Sequence, residues 1–171
     1  KFTLGLDFPN LPYYMDDEVK LSQSNAIIRY IARKYNLYGS NDREVTLMDM
    51  LSEEIFDVRA KIFRFLYHAK TKEEVENAKK ENIEFLMKKL EQCEKYLGDK
   101  KWLIGDKLTY VDFLWYDILD HYIYAYQDGL KNFPKLQAYH NRFEQLPAIK
   151  AYMTSDEFIK TPRGPLGHYP G

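Results

Sequence analysis

A small α/β unit of two strands and one helix, followed by a domain built only from helices, is the architecture the sequence predicts. Three observations predict it. Tyr13–Met15 and Val19–Leu21 are short β-prone runs on either side of the polar turn Asp16–Glu18. Beyond residue 42, apolar residues recur at spacings of three and four, the period of a helix that buries one face. Between the two, residues 36–41 hold Gly39 among polar side chains and read as a linker. The expected division is a partial α/β domain over residues 1–35, a linker over 36–41 and a helical domain over 42–171.

The elements follow in order. Gln23 to Tyr35 is predicted helical, with Ile27, Ile28, Ile31 and Tyr35 on or near one face and the basic Arg33 and Lys34 in the last turn, where they suit the helix dipole. A long helix is expected from Asp42 to His68. Its core stripe is Leu47, Leu51, Ile55, Val58, Ile62 and Phe65. Phe56, Ala60, Phe63 and Tyr67 form a second stripe, which is either buried all round in a bundle or lines a cleft. Thr71 opens the next helix, with Glu74 three residues on in a capping-box arrangement. Ile83, Leu86, Leu90, Cys93 and Leu97 are its seam, and Gly98 stops it. Thr109-Tyr-Val-Asp112 is a second capping box, flanked by Leu108 and Phe113 at the hydrophobic-staple positions. Phe113, Leu114, Ile118 and Leu119 continue as core. Phe133-Pro134 begins a helix through Phe143, and Leu146-Pro147 begins a short one to about Tyr152. The Pro- and Gly-rich tail over residues 161–171 is expected to be irregular.

Composition bounds the function. The 171 residues carry a net charge of −1 and are 45% apolar. Basic residues are balanced by acids and no basic block stands alone, so no nucleic-acid partner is expected. No apolar run reaches membrane-spanning length, so no membrane partner is expected. Cys93 is the only cysteine. That excludes an internal disulfide and fits the reducing cytoplasm, which is the expected location. The histidines are His68, His121, His140 and His168. No two of them stand four apart and no H-E-x-x-H is present, so no metal site is predicted.

Two short segments carry chemistry. In Phe8-Pro9-Asn10-Leu11-Pro12, an X-Pro bond in a tight turn is where a cis peptide is tolerated. Such a turn would leave the backbone of Leu11 outside the ladder, free to pair with an extended peptide. Gln23 and Ser24 stand at a predicted helix N-terminus, where free N–H groups and the dipole attract a carboxylate. On local sequence alone, the same two residues could be no more than a helix cap.

Leu11-Pro12 followed by Gln23-Ser24-Asn-Ala-Ile resembles the glutathione site of cytosolic glutathione transferases. The run Leu4-Gly-Leu-Asp-Phe-Pro-Asn-Leu-Pro-Tyr-Tyr resembles the mu class in particular. The resemblance covers essentially the whole chain except the last dozen residues. It implies the C-terminal half of a thioredoxin-like domain followed by the all-α glutathione-transferase C-terminal helical domain. It also implies an enzyme, a glutathione S-transferase that conjugates the glutathione thiolate to hydrophobic electrophiles in detoxification. Glutathione would be the co-substrate, with no metal, in a cytosolic homodimer. In the family, a β-α-β segment precedes the position of Lys1 and supplies the catalytic tyrosine. Two strands alone are marginal, which also asks for more sheet. The chain is therefore read as a fragment of a longer one, the alternative being a reduced relative without that mechanism. No catalytic residue is assigned within the chain.

By resemblance, Leu11 pairs its backbone with the cysteinyl part of glutathione, Pro12 holds the turn, and Asn10 supports it. Gln23 and Ser24 bind the γ-glutamyl end, and Lys1 reaches the glycine carboxylate. Asp57 reaches across the dimer to the partner's ligand. Phe63 and Tyr67 face the electrophile, and Phe8 is the lock aromatic inserted into the neighbouring subunit. Arg29 joins an acidic cluster with Asp49 or Glu53 at the same interface. Each has a plainer alternative: a surface charge for Lys1 and Asp57, bundle core for Phe63 and Tyr67, and its own domain core for Phe8. At the level of function, the alternative is a non-catalytic binding or assembly protein of the same fold.

Overall fold

The computed structural model of the chain describes residues 2–68, 71–126 and 129–159. Two short strands, β1 (Tyr13–Met15) and β2 (Lys20–Ser22), pair antiparallel with Tyr13 opposite Ser22 and Met15 opposite Lys20. The second strand lies one residue later than the apolar run suggested. Asp16 accounts for the shift. Its Oδ1 accepts from the backbone N–H of Glu18 and Val19 at 3.0 and 2.9 Å, which draws Val19 into the turn.

Helix α1 (Ser24–Lys34) comes directly after β2. Its buried residue is Ala32, while Ile27, Ile28 and Ile31 are half-buried. Tyr35, expected on the buried face, is 66% exposed, because the helix has ended and the chain turns at Asn36 with φ 56°. Asp16 Oδ2 accepts from Tyr14 Oη at 3.0 Å, from Tyr30 Oη at 2.9 Å and from Lys34 Nζ at 2.9 Å, so one carboxylate pins the hairpin to α1. The Lys34 ammonium, together with these N–H and O–H donors, holds the Asp16 carboxyl well below the usual carboxylate range.

Residues 36–41 are bolted to the helical domain. Lys107 Nζ donates to Asn36 Oδ1, Tyr38 O and Ser40 Oγ, and the Tyr110 N–H donates to Leu37 O at 2.9 Å.

The remaining helices are α2 (Asp42–His68), α3 (Lys72–Leu97), α4 (Tyr110–Ala125), α5 (Pro134–Glu144) and α6 (Pro147–Met153). Helix α2 packs on α3 and α4, and α5 packs on α3, α4 and α6. The buried stripe of α2 is Met48, Leu51, Ile55, Val58 and Ile62; Leu47 is only half-buried, so the stripe starts one residue later than expected. Phe56 is 53% exposed and Ala60 is exposed, which rules out all-round burial at those positions.

At α3, Thr71 Oγ1 accepts from the Glu74 N–H at 3.2 Å, and Gly98 ends the helix at φ 53°, a conformation that suits glycine. The start of α5 is capped from another helix: Glu94 of α3 accepts from the N–H groups of Lys135 and Leu136 at 3.0 and 2.8 Å. Local sequence could not show that.

Asp112 is the polar centre of the helical domain. It is fully buried, and its Oδ2 accepts from the Thr109 N–H at 2.8 Å and from Thr109 Oγ1 at 3.0 Å. Its Oδ1 accepts from the Leu103 N–H at 2.8 Å and from Tyr139 Oη at 3.0 Å. The expected cap at the start of α4 is thus also a bridge to the 103 loop and to α5.

Candidate functional site

The hairpin ladder sets the geometry of the site. The ladder ends with Tyr13 opposite Ser22, so Leu11-Pro12 and Gln23-Ser24 leave the hairpin at the same end. The Leu11-Pro12 bond is cis, and Leu11 is 65% exposed. Asn10, Pro12, Gln23 and Ser24 are exposed with it at the same end of the hairpin. The structure therefore gathers Asn10, Leu11, Pro12, Gln23 and Ser24 on one accessible edge.

Gln23 adopts φ 73° and ψ 108°, a conformation that L-residues other than glycine rarely take. Gln23 is the N-cap residue of α1, its C=O accepting from the Ile27 N–H at 3.0 Å, but its side chain makes no capping hydrogen bond. A non-glycine residue held in that conformation costs on the order of 1–3 kcal/mol and is found mainly at functional sites. The first turn of α1 is Ser24-Asn-Ala-Ile and has no acidic side chain, whereas Arg33 and Lys34 sit in its last turn. The N-terminal end is thus left as the positive pole of the dipole, with its first N–H groups directed outward.

Phe8 is 75% exposed and so is not part of its own core. Arg29 is used within the chain. Its Nη2 donates to Ser52 Oγ at 3.0 Å and pairs with Glu53 Oε1 at 3.4 Å, and its Nε donates to Tyr110 Oη at 3.4 Å. It thereby ties α1 to α2 and α4. The hydrogen bond to Tyr110 raises the pKa of the guanidinium above its ordinary value. Of the two acids expected beside Arg29, Glu53 makes the ion pair and Asp49 acts on the guanidinium through its charge. Tyr14 is held by Asp16, whereas Tyr13 is 43% exposed.

Asp57 is exposed on α2 and lines a cleft of 440 Å³ between α2 and α3. The walls include Met50, Glu53, Glu54, Ile55, Lys89, Cys93, Tyr96 and Trp115. Burial pushes the Cys93 thiol well above its ordinary pKa, which fits a packed thiol rather than a nucleophile. Phe63 and Tyr67 lie on the α2 backbone, but their side chains fall outside the described residues, as do Lys1 and the tail over 160–171. Sequence reasoning missed the Asp16 hub that holds β1, β2 and α1 in register. The signal was available as an Asp opening a polar turn between two strands.

Comparison with known proteins shows the family. A family model described as "Glutathione S-transferase, N-terminal domain" matches residues 2–33, and one described as "Glutathione S-transferase, C-terminal domain" matches residues 56–156. Glutathione S-transferase B of Cavia porcellus is 44% identical over 162 residues, covering 95% of this chain and 73% of that protein. Glutathione S-transferase Mu 1 of Oryctolagus cuniculus is also 44% identical over 162 residues, with 72% of that protein covered. Among solved structures, the glutathione S-transferase Blo t 8 superposes with a TM-score of 0.85 at 36% identity, over 98% of this chain and 80% of that one. A Pi-class glutathione S-transferase of Onchocerca volvulus superposes at 0.75 with 32% identity, over 86% and 71%. The chain belongs to the glutathione S-transferase family and is mu-class-like.

Proposed function

We propose that this chain binds glutathione at the open end of its hairpin and acts in the conjugation of the glutathione thiolate to hydrophobic electrophiles, in the cytoplasm and as a homodimer. The observation that carries the reading is the juxtaposition of an exposed Leu11 with the positive-φ Gln23 at the start of α1. Leu11 offers its backbone to the cysteinyl unit as an added strand, with Asn10 and Pro12 shaping the turn. Gln23 and Ser24 take the γ-glutamyl carboxylate at the positive end of α1. Lys1 reaches the glycine carboxylate.

A bound thiol has an ordinary pKa of about 8.5, so the reaction needs a donor that favours its anion. The family resemblance assigns that donor to a tyrosine hydroxyl. Phe63 and Tyr67 face the electrophile. In the dimer, Phe8 of one copy enters the α2–α3 cleft of the other, whose Asp57 reaches the partner's ligand. The exposure of Phe8 and the apolar walls of that cleft support this pairing.

Calorimetric titration of the full chain with glutathione tests the site. Ser24→Ala is expected to weaken binding by roughly tenfold or more, the effect of losing a hydrogen bond to a charged group. Circular dichroism should be unchanged, because Ser24 is exposed. Equal affinity in the variant and the parent would overturn the assignment.

A further inference from the structure

Asp120 on α4 and His140 and Glu144 on α5 meet across the contact between the two helices. His140 Nε2 lies 3.6 Å from Asp120 Oδ1 and 4.0 Å from Glu144 Oε1, and one ligand atom from each residue lies within 4.8 Å of the others. These separations are too long for hydrogen bonds. Neither ring nitrogen of His140 has a hydrogen-bond partner, although its side chain is only 7% exposed. Buried polar atoms are rarely left so, and each such case asks for an explanation.

The ring is also held in place. Tyr116 stacks on it at 4.8 Å, and Tyr116 Oη donates to Glu144 Oε1 at 3.3 Å, which orients one of the two carboxylates. A group that supports a metal ligand from behind occupies this kind of position.

A tetrahedral ion with bonds of about 2.0–2.1 Å sets its ligand atoms about 3.4 Å apart. The observed 3.6 and 4.0 Å, and the outer limit of 4.8 Å for the trio, are wider than that. Asp120 and Glu144 have side chains 48% and 29% exposed, so small rotations can draw them in toward the fixed imidazole. We propose that Asp120, His140 and Glu144 bind a divalent first-row transition-metal ion of the zinc type, with its remaining positions filled by water. One imidazole with two carboxylates favours such an ion over calcium or magnesium, which take oxygen ligands alone. The ion ties α4 to α5. His140 and Glu144 stand four apart on α5, but Asp120 is distant in the chain and the trio holds a single histidine, so the sequence does not mark the whole site.

The test is calorimetric titration of the full chain with zinc chloride in chelator-free buffer, paired with thermal unfolding. The parent should bind one equivalent and unfold at a higher temperature in its presence. Asp120→Asn, at a half-exposed position that leaves the core intact, should weaken binding by about tenfold or more and remove the thermal shift. His140→Gln should abolish binding. His121→Gln, which removes the nearby pair of His121 with Asp117 at 3.6 Å, should bind as the parent does. Absence of saturable zinc binding by the parent would overturn the proposal. So would equal binding in the parent and Asp120→Asn, or loss of binding in His121→Gln.

Discussion

Asp16 and Asp112 hold the two ends of this molecule together in opposite electrostatic settings. Each accepts several short hydrogen bonds from groups separated in sequence. Asp16 has a cation, Lys34, against it at 2.9 Å, and its carboxyl is pulled down. Asp112 is sealed in the core, and burial pushes its carboxyl up against the pull of its four donors. The groups that meet Asp112 in the helical domain are turned inward and paired with it. The hairpin around Asp16 is held only from behind, which leaves Leu11, Gln23 and Ser24 turned outward. A packed body carrying an edge with exposed backbone and a helix end suits the binding of a peptide.

Removing Asp112 should have the largest effect. Asp112→Ala leaves buried N–H and O–H donors from Leu103, Thr109 and Tyr139 unpaired, and should lower stability in urea unfolding by about 3 kcal/mol or more. A loss below about 1 kcal/mol would mean the centre of the helical domain lies elsewhere.

Asp16 sharpens the contrast through pH. Its folded pKa is depressed, so the stability it adds is present above the unfolded value of about 4 and is lost as pH falls below that toward the folded value. Denaturation midpoints of the parent should fall over that range, and those of Asp16→Asn should be lower at neutral pH and flatter in acid. Parallel pH profiles for the two proteins would contradict the hub.

The smallest effect is expected at Gln23. Glycine accepts φ 73° without strain, so Gln23→Gly should stabilise the fold by about 1 kcal/mol. It should also weaken glutathione binding. Stabilisation with unchanged binding would separate the strain from the site.

Most of the helical domain was legible because capping boxes and three-four spacing are local signals. Thr71, Gly98, Thr109 and Pro134 each mark a helix boundary where the structure has one. The features that were not legible depend on contacts between distant residues. The cap that Glu94 supplies to α5, the Ser52 and Tyr110 partners of Arg29, and the Leu103 and Tyr139 partners of Asp112 have no local pattern. The one-residue errors, at β2 and at Met48, come from reading periodicity without the turn that sets its phase. At the candidate site, sequence proposed the residues, but the positive φ of Gln23 and the missing bond from its side chain are visible only in the structure. They turn two exposed polar residues from a plain helix start into a candidate binding edge.

The most direct test is a backbone amide NMR titration of the full chain with glutathione. The account predicts that the amides of Leu11 and Ser24 shift first and saturate together, while those around Asp112, at Leu103 and Thr109, stay still. Shifts confined to the helical domain, or none at Leu11 and Ser24 under saturating glutathione, would contradict it.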